Sequence, residues 1–419
     1  MARGWSAHFS SRKGKTGGGV IVALIAMTYP VEVHAQAPPL IGPHWALGQP
    51  AAFSDTRLRF ETVHGGGRGD ASAMTLRLRS GVEVALNDRT AALFELESVA
   101  DISSDESRSK VGRRLIPDRP VLELNRAQIS YALPSVRFVG GRQRLELADE
   151  RFVGSSAFRQ NEQTYDAVRV IAATPLGLTA EATYIWQVNR FNSSTASRSR
   201  WTGDTTLLQL GAPTPLGRVK AFHYVMDLTD ERSGIRDARA SNETSGVGIT
   251  GSWRNNGIDW EWRADYAWQR DHGANPFDYR ADYSRFQVKL DAERVAFVLN
   301  RERLGSEGVR GFQTPLGSNH AFQGSADLFV VTPATGVRDL SLEAVLRFPA
   351  LGPVRNVTVL ARRHEFDSDL DGAGLGSEWD ATVSGTVRGY RLSVDHARYS
   401  AESFGDDTTR TWLTIARIF

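Results

Sequence analysis

The sequence predicts an all-β protein: a single antiparallel, up-and-down transmembrane β-barrel of about eighteen strands. Three observations point there. Apolar and polar residues alternate in segment after segment, long polar loops alternate with tight turns, and the chain opens on a secretory leader and ends on phenylalanine. Residues 258–269 show the alternation most clearly. Ile258, Trp260, Trp262, Ala264, Tyr266 and Trp268 share one parity, and Asp259, Glu261, Arg263, Asp265 and Gln269 the other. Side chains of a strand alternate between faces, so this is a ribbon with one aromatic and one charged face. A soluble sandwich would bury the three tryptophans against a second layer. A barrel in lipid turns them outward and keeps the charges inside.

The N-terminus reads as a processed segment. Arg3, Arg12, Lys13 and Lys15 precede a short apolar core, Val20 to Met27, and Val33-His34-Ala35 fits a small-residue cleavage site. That pattern is a secretory signal over 1–35. Its core is too short for a membrane-spanning helix, which needs about 20 apolar residues. Residues 36–52, with Pro38, Pro39, Pro43 and Pro50, read as an irregular periplasmic lead-in, and 53–419 as the barrel. The whole chain carries 50 Lys+Arg and 48 Asp+Glu. Cleavage removes four basic residues and Glu32, which leaves 46 against 47. A balance this even gives no argument for nucleic acid. Only Lys110, Lys220 and Lys289 remain as lysines, so the mature base is almost all arginine, a rigid fork suited to carboxylates and phosphates. Cysteine is absent, which excludes disulfides, thiol chemistry and Cys-ligated metal.

The segments follow in order. Leu58 and Phe60 oppose Arg57, Arg59 and Glu61; Leu76 and Leu78 oppose Arg77 and Arg79, continuing to Val82 and Val84 opposite Glu83. Phe94 and Leu96 oppose Glu95 and Glu97; Ala127, Ile129, Tyr131 and Leu133 oppose Arg126, Gln128 and Ser130. Leu145 and Leu147 oppose Arg142, Arg144 and Glu146, and Val168 and Val170 oppose Arg169. Leu178, Ala180, Ala182, Tyr184, Trp186 and Val188 oppose Thr179, Glu181, Thr183, Gln187 and Asn189. Phe222, Tyr224, Met226 and Leu228 oppose His223 and Asp227. Val247, Ile249 and Trp253 precede the strand at 258–269; Leu340, Leu342, Ala344, Leu346 and Phe348 oppose Asp339, Ser341, Glu343 and Arg347. Val357, Val359 and Ala361, then Trp379, Ala381, Val383 and Val387, then Leu392 and Val394, complete the series. Segments 204–212 and 278–303 are ambiguous in register, so sixteen strands also fit.

Tight connections at 174–177, 213–217, 255–257 and 349–353 carry Pro, Gly and Asn breakers. Residues 103–120, 149–164, 190–203, 229–242, 270–278 and 304–337 are long and polar. Short turns at one end and long loops at the other are the layout of an outer-membrane barrel in a Gram-negative cell. With the N-terminus in the periplasm, the long loops lie outside. Phe419 closing an alternating strand resembles the terminal signal read by barrel-assembly machinery.

With the apolar face in lipid, Arg57, Arg59, Arg77, Arg79, Arg126, Arg142, Arg144 and Arg169, together with Glu95, Glu97, Asp259, Glu261, Arg263 and Asp265, become pore lining. Neighbouring walls of opposite sign favour charged, hydrated solutes, and arginine forks hold carboxylates; such charges also neutralise one another across strands. His223, His320, His364 and His396 sit in no catalytic motif, so no enzyme is expected. Asp367, Asp369 and Asp371 resemble the start of a calcium loop, against the alternative of a solvated acidic turn.

Two blocks carry a family resemblance. One is Gly141-Arg142-Gln143 with Asp149-Glu150-Arg151-Phe152-Val153-Gly154 and a loop holding Arg159, Asn161 and Asp166. The other is Phe312-Gln313-Thr314-Pro315-Leu316-Gly317 with His320-Ala321-Phe322-Gln323-Gly324 and Asp327. Together they resemble the alginate export family of outer-membrane barrels. The resemblance implies an eighteen-stranded monomer whose arginine-rich lumen passes an anionic uronate polymer, gated by the loops at 149–164 and 304–337. The expected function is passive diffusion of anionic saccharides. A general low-selectivity porin, or a barrel with a loop-borne adhesion or enzymatic role, are the alternatives.

Overall fold

A computed structural model describes residues 50–419 apart from 68, 104–115, 193–198 and 231–237. The expected signal and most of the lead-in lie outside the described residues. The first strand, β1, runs Pro50–His64, so pairing starts ahead of the expected boundary at 53. There follow β2 (Ala71–Asn87), β3 (Thr90–Asp101), β4 (Val121–Ala132), β5 (Val136–Gln143) and β6 (Thr164–Ala173). Next come β7 (Thr179–Asn189), β8 (Arg200–Thr214), β9 (Gly217–Met226) and β10 (Thr229–Asp230). The second half holds β11 (Asn242–Asn255), β12 (Ile258–Asp271), β13 (Arg280–Ala292), β14 (Val295–Leu304) and β15 (Val337–Leu351). Last are β16 (Val354–Asp367), β17 (Gly374–Val387), β18 (Tyr390–Ala401) and β19 (Thr408–Ile418). The two-residue β10 only extends the edge of β8. The other eighteen strands close a barrel, with no α-helix among the described residues.

Apart from β10, each strand pairs antiparallel with the next around the barrel, and β1 closes on β19 with Asp55 opposite Ile418. Phe419 N–H donates to the Ser54 carbonyl at 2.8 Å, so the terminal phenylalanine finishes the seam. Closure pairs the backbone groups that lipid could not satisfy. An even strand number brings both chain ends to one edge. All eight tight turns lie at that edge, between β2 and β3, β4 and β5, and so on to β17 and β18; the loops lie at the other. The expected rhythm of turns and loops is therefore the observed one.

The outer face carries Trp253, Trp260, Trp268, Leu340, Leu342, Trp379, Val383 and Leu413, all exposed. The opposite parity is buried: Arg77, Arg79, Glu95, Glu97, Arg285 and Asp339. Three expectations of facing are corrected. On β9, Tyr224 and Met226 point inward, as does Leu228 just beyond it, while His223 faces out beside Ser245. Both rows of that strand are apolar near its loop end, because the inner row packs on inserted protein. On β7, Trp186 is bulged out of both pairings, which sends Val188 inward and Gln187 and Asn189 outward. On β5, parity expected from Leu145 and Leu147 is inverted. The strand ends at Gln143, and both leucines lie in the interior core beyond it. Phe138 marks the true outer row, so Arg142 faces outward and pairs with Asp166, itself in the row of exposed Val168. Gln187 and Asn189 each donate to Asp166 at 3.1 Å on that face.

Candidate functional site

A barrel of eighteen strands is too wide for its wall side chains to fill. Here two connections fold back into it: residues 144–163 between β5 and β6, and 305–336 between β14 and β15. The first crosses to the far wall. Asp149 Oδ2 lies 2.5 Å from Arg263 of β12 and 2.5 Å from Arg285 of β13. Burial would raise the Asp149 carboxyl, but these two guanidinia override it and hold it at about 2. Arg151 is buried and reaches Glu302 of β14 at 2.6 Å, Thr314 at 3.1 Å, Asn319 at 3.0 Å and Gln323 at 2.9 Å. Beside it Phe152 packs on Phe222, Tyr283 and Phe312 with ring centroids 5.1–5.9 Å apart. Those inward aromatic rows of β9 and β13 are the seat for the loop.

The second connection meets the first. Val153 and Leu316 form a parallel bridge, and Gly154 N–H donates to the Leu316 carbonyl at 2.9 Å. Glu150 accepts from Ser155 N–H at 2.9 Å and from the Ser318 hydroxyl at 2.5 Å. Phe312 is fully buried, and Gln313 exchanges two 2.8 Å hydrogen bonds with Gln269 of β12. His320 stacks on Phe158 at 3.5 Å and lies 2.8 Å from Asp327, which Arg159 also holds at 2.5 Å. Burial opposes ionisation of Asp327, yet His320, Arg159 and Arg410 together keep its carboxyl well below the usual range. On the far side Ala326 N–H donates to Glu378 of β17 at 2.7 Å, and Phe329 packs on Phe366 and Tyr399.

The arginines of β1 and β2 collect the backbone of the first connection. Arg57 donates to the carbonyls of Ala157 and Arg159, Arg59 to that of Phe158 at 2.6 Å, and Arg79 to that of Gln160 at 3.5 Å. A guanidinium fork suits carbonyl oxygens as it suits carboxylates. The expected wall charges are otherwise mostly paired. Arg77 holds Asp55, Arg79 holds Glu97, and Glu162 lies between Arg79 at 3.1 Å and Arg144 at 2.6 Å. Arg126 holds Glu95 at 2.7 Å, Arg169 holds Glu181 at 2.7 Å, and Arg263 also holds Asp265 at 2.5 Å. Glu261 lies 3.3 Å from Lys289, and Asp259 lies 3.5 Å from Arg254 at the turn edge. Arg57 and Arg59 stand apart: among the described residues neither has a carboxylate partner, only carbonyl, amide and hydroxyl oxygens.

Of the expected loop residues, Asp149, Glu150, Arg151, Arg159, Phe312, His320 and Asp327 therefore meet inside the barrel. Asn161 is buried there too and donates to the Arg119 carbonyl at 3.4 Å. One does not belong: Asp166 lies in β6 on the outer face, paired there with Arg142, which was expected to line the pore.

Comparison with solved structures bears on this architecture. The outer membrane protein OpdK of Pseudomonas aeruginosa matches over 88% of this chain and 98% of its own, at 12% identity and TM-score 0.67. OccAB4 of Acinetobacter baumannii matches over 88% and 98%, at 14% identity and TM-score 0.64. OpdQ of Pseudomonas aeruginosa matches over 89% and 99%, at 12% identity and TM-score 0.67. The fold is that of an outer-membrane porin. Such neighbours are channel porins and not enzymes. No protein-family model matches the chain, and no curated protein matches it by sequence. The likeness supports a porin barrel and does not single out alginate export.

Within the barrel, sequence reasoning missed Arg285, Glu302, Glu162 and Gln160, which anchor the inserted connections. A signal for the seat was present in β9, where Phe222, Tyr224 and Met226 face one way while Ala221 and Val225 face the other. Two apolar rows mean cover on both faces. The acidic turn after β16 binds protein: Asp369 pairs with Arg303 at 2.5 Å, and Asp371 accepts from Ala373 N–H at 3.1 Å. Among the described residues no three metal-ligating side chains converge.

Proposed function

We propose that this barrel is an outer-membrane channel passing small carboxylate-bearing solutes, uronate-type saccharides among them, by passive diffusion. The observation that carries this reading is Arg57 and Arg59: two lumen guanidinia with no carboxylate partner among the described residues, set where an inserted connection crosses the barrel. Arg57 stands beside Arg59, Arg77 and Arg79, while the carboxylates of Asp118, Glu61 and Asp395 lie near enough to Arg59 to act on its charge. A fixed charge about 4 Å from a passing ion is worth about 1 kcal/mol even at the dielectric of water. The two connections meeting through Val153 and Leu316 favour mono- and oligomeric uronates over a bulk polymer. A less selective porin is the second reading, supported by the paired arginines Arg126, Arg169 and Arg362.

Planar-bilayer recording separates the two. The first reading expects anion preference and concentration-dependent block by oligouronates. Arg57→Gln with Arg59→Gln should lower the anion-to-cation permeability ratio roughly fivefold, the equivalent of about 1 kcal/mol. The Arg→Lys pair keeps the charge while losing the fork, so it should keep the selectivity. Unchanged selectivity in the Gln variant, with no block in the wild type, selects the second reading. A barrel with no conductance removes both.

A further inference from the structure

We propose that the outer face of β14–β18 binds the phosphorylated headgroup of a glycolipid in the outer leaflet. This rests on the outer-membrane reading above, with the loops outside the cell. The lipid-facing rows of these strands stop abruptly on the way to the loop edge. On β14, exposed Phe297 and Leu299 are followed in the same row by Arg301 and Arg303. On β15, Leu346, Leu342 and Leu340 are followed by Arg338. On β16, Val359 and Ala361 lead to Arg363, and on β18, Leu392 and Val394 lead through His396 to Arg398. Register brings the key residues side by side: Arg363 stands opposite Trp379, and Trp379 opposite Arg398. Trp379 is 55% exposed, and the Arg363 guanidinium lies 5.4 Å from its ring.

The row is cationic in excess. Arg303 is taken up by Asp282 and Asp369, and Arg363 by Glu365 at 2.6 Å. Arg301 and Arg398 are exposed and have no carboxylate partner among the described residues. The basic residues run on into β12 and β13, where Arg280 is exposed and Arg270 pairs with Glu243, whereas the loop-side ends of β2 and β4 carry Met74 and Leu122. Tryptophan settles at the boundary between acyl chains and headgroups. Arginine forks just above that boundary match phosphate oxygens in pairs. The phosphate of a lipid whose chains cover Leu340, Leu342 and Val383 would lie at this height, which free phosphate has no reason to occupy.

Native mass spectrometry of the full barrel, released from a neutral detergent with diphosphoryl lipid A present, tests the assignment. The wild type should retain the lipid, and the Arg301→Gln/Arg363→Gln/Arg398→Gln variant should retain roughly tenfold less. The matching Lys variant should keep most of the binding. Arg254→Gln, at the turn edge, should retain as much as the wild type. Equal retention by the triple Gln variant, equal retention of dephosphorylated lipid A, or full displacement by excess inorganic phosphate would each overturn it. If the triple variant does not fold, Arg301→Gln and Arg398→Gln are read singly. Lipid retention needs no conductance, so its outcome is independent of the channel assignment.

Discussion

Asp149 concentrates the residue-scale argument. One carboxylate bridges Arg263 and Arg285 from two strands. Its folded pKa of about 2 lies below the ordinary aspartate value of about 3.9. A depressed carboxyl contributes stability fully above the unfolded value, and that contribution fades as pH falls through the folded one. The connection should therefore stay anchored at neutral pH and loosen between about pH 4 and pH 2. Proteolysis of the 144–163 segment, followed against pH in the folded barrel, reads this directly. Asp149→Asn should be loose throughout and lose the pH step; a step that persists in that variant belongs to another group. Arg142 and Asp166 give a different lesson. Their charges were legible, but their side of the sheet depended on where β5 ended.

At the scale of the element, β9 decides how the lumen is filled. Its inner row of Phe222, Tyr224 and Met226 is the wall against which Phe152 is packed. Tyr224→Ala should remove that seat. Large-to-small aromatic changes in packed sites cost about 3–5 kcal/mol, here charged to the loop and not to the barrel. The expected result is a larger, noisier single-channel conductance with an unchanged heat-stable barrel band on gels. Leu210→Ala, which truncates an exposed side chain facing lipid, is the control and should leave conductance alone. If the two variants behave alike, the connection is not held by β9. Gly141 serves β5 in another way. At φ +111°, a side chain there would place its Cβ 2.3 Å from the Ala127 carbonyl oxygen, so only glycine lets β4 and β5 stay in register.

For the whole molecule, the two connections act as one unit because they bond to each other as well as to the wall. The Val153–Leu316 bridge and the Arg151 node join them. Replacing residues 307–334 by a short Gly-Ser link should therefore release both connections and not only the one removed. Conductance should rise well beyond that of Tyr224→Ala, and the 144–163 segment should become protease-sensitive at neutral pH. Retained protection of 144–163 would show that the wall arginines hold it unaided. The barrel itself should persist, since its strands pair around the full circuit without either connection.

The sequence by itself determined the barrel, its approximate strand number, the edge on which loops and turns fall, and most of the lipid face. Those features follow from period-two alternation and breaker residues, which are local and repeat many times. Parity failed at β5, β7 and β9, where a strand end, a bulge at Trp186 and a second apolar row each broke the local rule. Only the tertiary structure decided where residues 144–163 and 305–336 go and which arginines they consume. Arg57 and Arg79 look alike in sequence, yet one meets carbonyls of an inserted segment and the other also meets Glu97 and Glu162. Partners separated by a hundred residues and more are chosen by closure of the whole sheet, and no pattern within a single strand records that choice.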